Sequence, residues 1–120
     1  MTEPGFSRGD VVICALPGDY GKPRPAVVVQ SDLFNQTHAS VVLCPISSEV
    51  TGLSLFRVSV ARSAVSGLAA DSEIMADKIS AVKQARIRRR LGALSHDHMQ
   101  ALDRALRLWL DLQATPGEAA

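Results

Sequence analysis

The sequence contains no long apolar run, no secretory signal and no cysteine pair at metal-binding spacing. A membrane-spanning helix needs about 20 consecutive apolar residues, and no stretch of this chain approaches that length. The opening Met-Thr-Glu-Pro-Gly has no basic flank followed by an apolar stretch, so we expect a cytoplasmic protein with no membrane partner. Cys14 and Cys44 lie in apolar runs without a CxxC spacing. They are therefore expected to be buried free thiols.

The three histidines, His38, His96 and His98, have no partners at the spacing that a metal site requires. We expect them to be solvated surface side chains. A glycine-rich phosphate loop, a nucleophile elbow and a dinucleotide fingerprint are also missing. The sequence therefore predicts neither a metal nor a cofactor.

The formal net charge is +1, but the charge is unevenly distributed. Residues 78–90 include six basic side chains and no acidic one. This cluster is either a track for an RNA backbone, which would give salt-dependent affinity, or an ordinary solvated face. Its members are Lys78, Lys83, Arg86, Arg88, Arg89 and Arg90.

Short β-branched runs dominate the first two thirds of the chain. We expect Pro45 to end the third strand, because proline cannot donate to a ladder, and Gly92 to end the last. The fourth strand alternates apolar and polar residues, which predicts that Arg57 faces solvent. The predicted strands span residues 10–15, 26–30, 40–44, 56–61, 72–74, 78–82 and 87–91.

One segment near the C-terminus is strongly helical. Ser95 is a suitable N-cap, and Asp103 and Arg107 stand four residues apart as a solvated ion pair. The apolar stripe of this helix consists of Met99, Leu102, Leu106 and Trp109. Many short strands followed by one helix predict an α+β, β-rich fold, a small twisted barrel-like sheet with the amphipathic helix packed on it. We expect one domain over residues 6–112, between a disordered N-terminus (1–5) and a flexible tail (113–120).

Residues 17–25 contain three prolines and two glycines, so we expect neither helix nor ladder there. Pro23 and Pro25 restrict the backbone around Arg24. This arginine either binds phosphate and stabilises transition-state charge, or is an ordinary surface residue on a turn. Likewise, Ser47 and Ser48 at a strand end are either phosphate donors or turn caps.

Three blocks in fixed order carry a family resemblance. Arg8-Gly9-Asp10-Val11, then Arg24-Pro25 followed by Ala26 to Asp32, then Pro45-Ile-Ser-Ser48, resemble the signature blocks of the MazF/PemK/Kid toxin endoribonucleases. The stretch from Glu73 to Ile79 and the start of the C-terminal helix are also similar to that family's layout. The resemblance runs from about Phe6 to about Leu112.

The resemblance implies an SH3-like or CcdB-like barrel that works as a homodimer in a type II toxin–antitoxin system. It implies cleavage of single-stranded RNA without metal, through attack of the ribose 2′-hydroxyl on the scissile phosphate, and growth arrest as the phenotype. The partner it implies is a cognate antitoxin whose acidic disordered segment covers the same groove. Arg24 matches the family's catalytic arginine, and Ser47 matches a threonine that contacts the scissile phosphate. Asp77 matches an acidic position proposed, in some members, to transfer protons.

The chain also departs from the family pattern. Met75 and Ser80 stand where members carry supporting arginines, and either Lys78 or the cluster from Arg86 to Arg90 is a candidate replacement. Either Asp77 or Asp19 is a candidate general base. Two alternatives stay open: a non-cleaving toxin that poisons DNA gyrase as CcdB does, and an RNA- or peptide-binding barrel without activity. The candidate RNA-binding residues are Asp19, Tyr20, Lys22, Ser48, Lys78 and Arg86.

Overall fold

A computed structural model describes residues 5–16, 18, 21–52 and 55–112. Apart from Gly5, the predicted disordered N-terminus and the predicted tail lie outside these ranges, as do Asp19 and Tyr20. Within the described residues, two single 3₁₀ turns, Ala76–Lys78 and Gln84–Arg86, connect some of the strands. The strands and α-helices are β1 Asp10–Ala15, β2 Pro23–Val28, α1 Asp32–Asn35, β3 Ser40–Ser47, β4 Arg57–Val60, β5 Ser72–Met75, β6 Ser80–Lys83, β7 Ile87–Ala93 and α2 His96–Leu110.

The strands form one antiparallel sheet in the order β4-β5-β3-β2-β1-β7, with β6 also paired to β3. Along one edge β3 pairs with β2; along the other its residues 40–43 pair with β6 and its residues 46–47 pair with β5. This change of partner turns the sheet into two arms that share β3. The predicted α+β, β-rich class with a C-terminal helix is confirmed.

The prolines do not interrupt the sheet where the sequence suggested. β2 already begins at Pro23, whereas we expected no ladder before residue 26. Residues 23–25 pair with β1 only, because the pairing of β2 with β3 starts at Ala26. The edge of this segment that faces away from β1 is not paired with β3, so the N–H donors that proline lacks are not needed there. Pro45 likewise does not end β3, which continues to Ser47. Pro45 lies between residues 40–43, which pair with β6, and residues 46–47, which pair with β5.

Gly92 lies inside β7 instead of ending it. The turn before β5 packs directly against this position, where the Ala93 N–H donates to the Val65 carbonyl over 3.0 Å. A Cβ on Gly92 would lie 2.2 Å from that carbonyl oxygen. Glycine is therefore required here by close backbone contact rather than by strand termination.

Two buried clusters lie on opposite faces of the sheet, and α2 covers one of them. The Ser95 hydroxyl accepts from the His98 N–H over 3.1 Å, which confirms the predicted N-cap. The helix buries Leu102, Ala105 and Leu106. Trp109 is instead half exposed and packs against Phe56, with ring centroids 5.3 Å apart. No described helix has the length and apolarity that a membrane crossing demands.

The Asp103 carboxylate on α2 binds a partner that the sequence did not suggest. Instead of the predicted pairing with Arg107, the structure shows an ion pair with the Arg8 guanidinium. Arg8 also donates from Nε to the Val29 carbonyl over 2.9 Å. The first signature block is thereby attached to the C-terminal helix.

Leu102 is fully buried between α2 and the sheet. We expect Leu102→Ala to lower the free energy of unfolding by about 2–5 kcal/mol, because it removes apolar contacts and leaves a cavity. Urea unfolding measures this loss. The control is Leu108→Ala on the same helix, where the side chain is 58% exposed, and its effect should stay within about 0.5 kcal/mol. Similar losses in both variants would contradict the assigned burial.

Both cysteines are free and buried, as predicted. Burial raises the pKa of Cys44 to about 12. Burial also raises the pKa of Cys14, although Arg86 and Arg88 act in the opposite direction. Neither thiol is ionised near neutral pH, so we assign both to packing.

Candidate active site

A cleft of about 400 Å³ lies beside the ends of β2 and β3. Two of the three predicted catalytic residues, Arg24 and Ser47, line it. Its polar lining residues are Arg24, Ser47, Glu49, Lys78 and Ser80, and Met75 and Leu16 contribute apolar walls.

The pairing of β2 with β3 explains why Arg24 and Ser47 lie near one cleft. Ala26 of β2 lies opposite Pro45 of β3, which is the last residue pair at that end of the ladder. Arg24 and Ser47 each lie two residues beyond this pair, and both line the cleft.

Ser47 takes one of the two roles that the sequence left open, that of a turn cap. Its Oγ accepts the Glu49 N–H over 3.0 Å, which is the predicted turn-capping bond. The hydroxyl keeps its own proton, which it can donate to a phosphate oxygen. The cap therefore fixes the Ser47 side chain in the cleft.

Lys78 supplies a second cation. It ends the 3₁₀ turn Ala76–Lys78, and its side chain lines the cleft with Met75 and Ser80. The two positions that lack the family's arginines therefore lie on the same wall as Lys78. This placement supports Lys78, rather than the cluster from Arg86 to Arg90, as the replacement cation.

Asp77 does not line this cleft. Its two carboxylate oxygens accept from Nε and Nη2 of Arg57, each over 3.1 Å. The two side chains are only 14% and 12% exposed. Asp77 is thus held in a fork-shaped ion pair. Its predicted proton-transfer role stays a prediction, and this pairing argues against it.

The prediction that Arg57 faces solvent was wrong. The turn Ala76–Lys78 packs against β4, and its Asp77 carboxylate binds the guanidinium, which is largely buried. The hydrogen bonds to Asp77 are the main cause of a raised Arg57 pKa, supported by the negative charges of Asp77, Glu73 and Glu49. Arg57 remains protonated at any pH at which the protein folds.

Glu73 is 1% exposed and anchors the loop that follows β3. Its carboxylate accepts the N–H of Gly52 over 2.8 Å and the N–H and hydroxyl of Thr51 over 3.0 and 2.9 Å. Arg57 Nη1 lies 3.8 Å from it. Arg57 therefore contacts two carboxylates, one on each side of the cleft. Glu73 anchors the loop that follows β3, and Asp77 belongs to the turn Ala76–Lys78.

The pKa of Glu73 should be visible in the pH dependence of stability. Burial alone raises this pKa, but the donors from Gly52 and Thr51 and the charge of Arg57 outweigh burial and lower it below 4.5. A lowered folded-state pKa stabilises the protein above about pH 4.5, and this contribution disappears as the pH falls toward the folded-state value. We therefore expect Glu73→Gln to be less stable than the wild type at pH 7, with a difference that shrinks below pH 4.5.

Urea unfolding of both proteins between pH 7 and pH 3 tests this expectation. All other titrating groups are shared, so the difference isolates residue 73. A difference that stays constant over the whole range would contradict the lowered pKa.

Of the predicted RNA-binding residues that the structure describes, three do not line the cleft. Lys22, Ser48 and Arg86 are exposed but lie outside it. Arg86 precedes Ile87, which lies opposite Cys14, while the other neighbour of Cys14 is Arg24. Arg86 is therefore across β1 from Arg24, about 10 Å away at two strand spacings. Within the described ranges, no three His, Cys, Asp or Glu side chains form a group that could hold a metal ion.

The comparisons with known proteins agree with this geometry. The model of the PemK-like, MazF-like toxins of type II toxin–antitoxin systems matches residues 7–110. A protein of Mycolicibacterium smegmatis named probable endoribonuclease MazF is 36% identical over 106 residues, covering 88% of this chain and 96% of the relative.

Solved structures show the same fold. The Mycobacterium tuberculosis toxin MazF-mt6 superposes with a TM-score of 0.76 at 26% identity, covering 88% of this chain and 99% of that one. A mycobacterial endoribonuclease solved with its cognate antitoxin gives a TM-score of 0.78 at 22% identity, covering 92% and 99%. The chain described here belongs to the PemK/MazF family of toxins of type II toxin–antitoxin systems.

Proposed function

We propose that this toxin is an endoribonuclease that cleaves single-stranded RNA without a metal ion. The observation that carries this proposal is the convergence of Arg24, Ser47 and Lys78 on one open cleft. Relatives with related sequences are named endoribonucleases. The gyrase-poisoning alternative is not favoured, because the family match includes the Arg24-Pro25 block that CcdB lacks.

RNA supplies its own nucleophile in this reaction. The 2′-hydroxyl loses its proton, the O2′–P bond forms, the P–O5′ bond breaks, and the 5′ oxygen takes up a proton. The products are a 2′,3′-cyclic phosphate and a 5′-hydroxyl. Arg24 and Lys78 stabilise the negative charge that builds on the phosphorane, and Ser47 donates to a non-bridging oxygen.

Exposed polar side chains outside the cleft extend the RNA contact. Lys22 and Ser48 flank Arg24 and Ser47 along the chain, and Arg86 lies across β1. These residues bind the backbone phosphates next to the scissile one, and the charges of Lys22 and Arg86 give salt-dependent affinity. Asp19 and Tyr20 lie outside the described residues and stay predicted RNA-binding residues, Tyr20 as an aromatic that stacks on a base.

The proposal includes the partners that the family resemblance implies. The toxin acts as a homodimer in the cytoplasm, and a cognate antitoxin restrains it. An acidic disordered segment of that antitoxin covers Arg24 and Lys78 and so competes with RNA for the same cations. One fold relative was solved with its cognate antitoxin, which supports this assignment.

The decisive experiment uses purified protein and mixed-sequence RNA in EDTA. We expect discrete fragments that end in 2′,3′-cyclic phosphate, identified by mass spectrometry. A gyrase cleavage assay runs in parallel. DNA breaks without RNA fragments would overturn the proposal in favour of the gyrase poison. RNA binding without cleavage would leave the inactive RNA-binding barrel.

A further inference from the structure

We propose that Glu49 is the catalytic residue that accepts the proton from the 2′-hydroxyl. The assignment rests on the proposed ribonuclease function and names a group that the sequence did not single out. Three described carboxylates lie near the ends of β3 and β5, and their environments separate their roles.

The carboxylates of Asp77 and Glu73 already bind other groups of the protein. Asp77 binds Arg57 through both oxygens and does not line the cleft. Glu73 is buried and accepts from Thr51 and Gly52. Taking a proton would break these contacts, so neither carboxylate is suited to accept one from a substrate.

Glu49 has the opposite environment. It is exposed, and it is the one carboxylate among the described residues that line the cleft with Arg24, Ser47 and Lys78. A general base must reach the proton it abstracts, and access to the same cleft as the phosphate-binding groups meets that requirement. Its position two residues after Ser47, with its own N–H bonded to the Ser47 hydroxyl, keeps it beside the proposed phosphate-binding group.

The backbone around Glu49 is held on both sides. Its own N–H donates to Ser47 Oγ over 3.0 Å, and the N–H groups of Thr51 and Gly52 donate to buried Glu73. The Glu49 charge is also among the causes of the raised Arg57 pKa, after the hydrogen bonds to Asp77 and the charges of Asp77 and Glu73. Glu49 is therefore placed by the fold, although its side chain is open to solvent.

The proton balance is complete with the groups in the cleft. The Glu49 carboxylate takes the proton from the 2′-hydroxyl as the O2′–P bond forms. As the P–O5′ bond breaks, the 5′ oxygen takes a proton from the Lys78 ammonium. Both residues are exposed, so exchange with water restores the carboxylate and the ammonium before the next turnover.

The test compares Glu49→Gln with the wild type. Glutamine keeps the size and a hydrogen-bonding oxygen but removes the basicity, so we expect kcat to fall by about 10²–10⁴-fold. Affinity for a 2′-O-methyl RNA of the same sequence should change by less than about threefold, since binding rests on the cations. The acidic limb of the kcat/KM pH profile should disappear in Glu49→Gln and return in Glu49→Asp. The control is Asp97→Asn, an exposed carboxylate on α2 far along the chain from the cleft, which should leave kcat unchanged.

The outcomes separate this role from the proposed function. If the wild type cleaves RNA, Arg24→Ala does not, and Glu49→Gln matches the wild type, then the Glu49 assignment fails and the ribonuclease function stands. An acidic limb that persists in Glu49→Gln would also overturn the assignment. If the wild type itself does not cleave, both proposals fail together.

Discussion

Replacing Arg24 by alanine is expected to lower kcat/KM for RNA cleavage by about 10²–10³-fold, because the variant loses a charge-stabilising group aimed at the phosphorane. Arg24 lines the same cleft as Ser47, and the planar fork of donors on its guanidinium matches phosphate oxygens. Arg24→Lys keeps the charge but loses the fork, so an intermediate rate is expected. The measurement is initial-rate cleavage of a fluorescent RNA in EDTA.

Arg62→Ala is the matched control for Arg24→Ala. Arg62 is an exposed arginine in the loop after β4, and it does not line the cleft. The control variant should cleave at the wild-type rate, and both variants should unfold at the wild-type urea midpoint. Equal losses in the two arginine variants would mean that overall charge, rather than position, governs cleavage, and would contradict the role of Arg24.

Arg57→Met is expected to lower the free energy of unfolding by about 3 kcal/mol, because it leaves the charges of a largely buried ion pair without their cation. Asp77 loses both hydrogen bonds, and Glu73 loses its nearby positive charge. Urea unfolding measures the effect. Arg62→Met, the same substitution at an exposed arginine a few residues later in the chain, should change stability by less than about 0.5 kcal/mol.

A double variant tests the cause. Arg57→Met combined with Asp77→Asn removes the orphaned charge together with the cation. The two substitutions share one ion pair, so their effects should be clearly less than additive. Additive losses would show that Arg57 stabilises the fold through packing alone.

Local sequence features predicted much of the fold. β1 was predicted with its observed limits, and the N-cap Ser95 marked the start of α2 correctly. In both segments side-chain preference and tertiary packing favour the same structure. The prediction failed at Pro23 and Pro45. A strand accepts proline where the missing N–H faces no partner strand, and the sheet topology determines which side of each strand has a partner. The single-turn helix α1 was also missed within the polar connection after β2.

For the site, the motif blocks identified Arg24 and Ser47, and the structure brings them together with Lys78. The alternating pattern of β4 wrongly placed Arg57 in solvent, because its partner Asp77 is 20 residues away and strand periodicity carries no information about it. Glu49 follows directly after Ser48 and resembles any loop acid in the sequence. The candidate role of Glu49 follows only from its position in the cleft of the folded protein.

The shared strand β3 has a consequence for synthesis of the toxin. A chain emerging from the ribosome with its N-terminus first can bring together the strands that carry Arg24 and Ser47 as soon as β2 and β3 pair. The opposite wall contains Lys78, next to the Asp77 carboxylate that binds Arg57, and is translated about 30 residues later. The long loop between the two walls closes after the local strand pairs have formed. A nascent chain therefore has no complete cleft, and the toxin becomes competent to act only once most of its length is already free of the ribosome that made it.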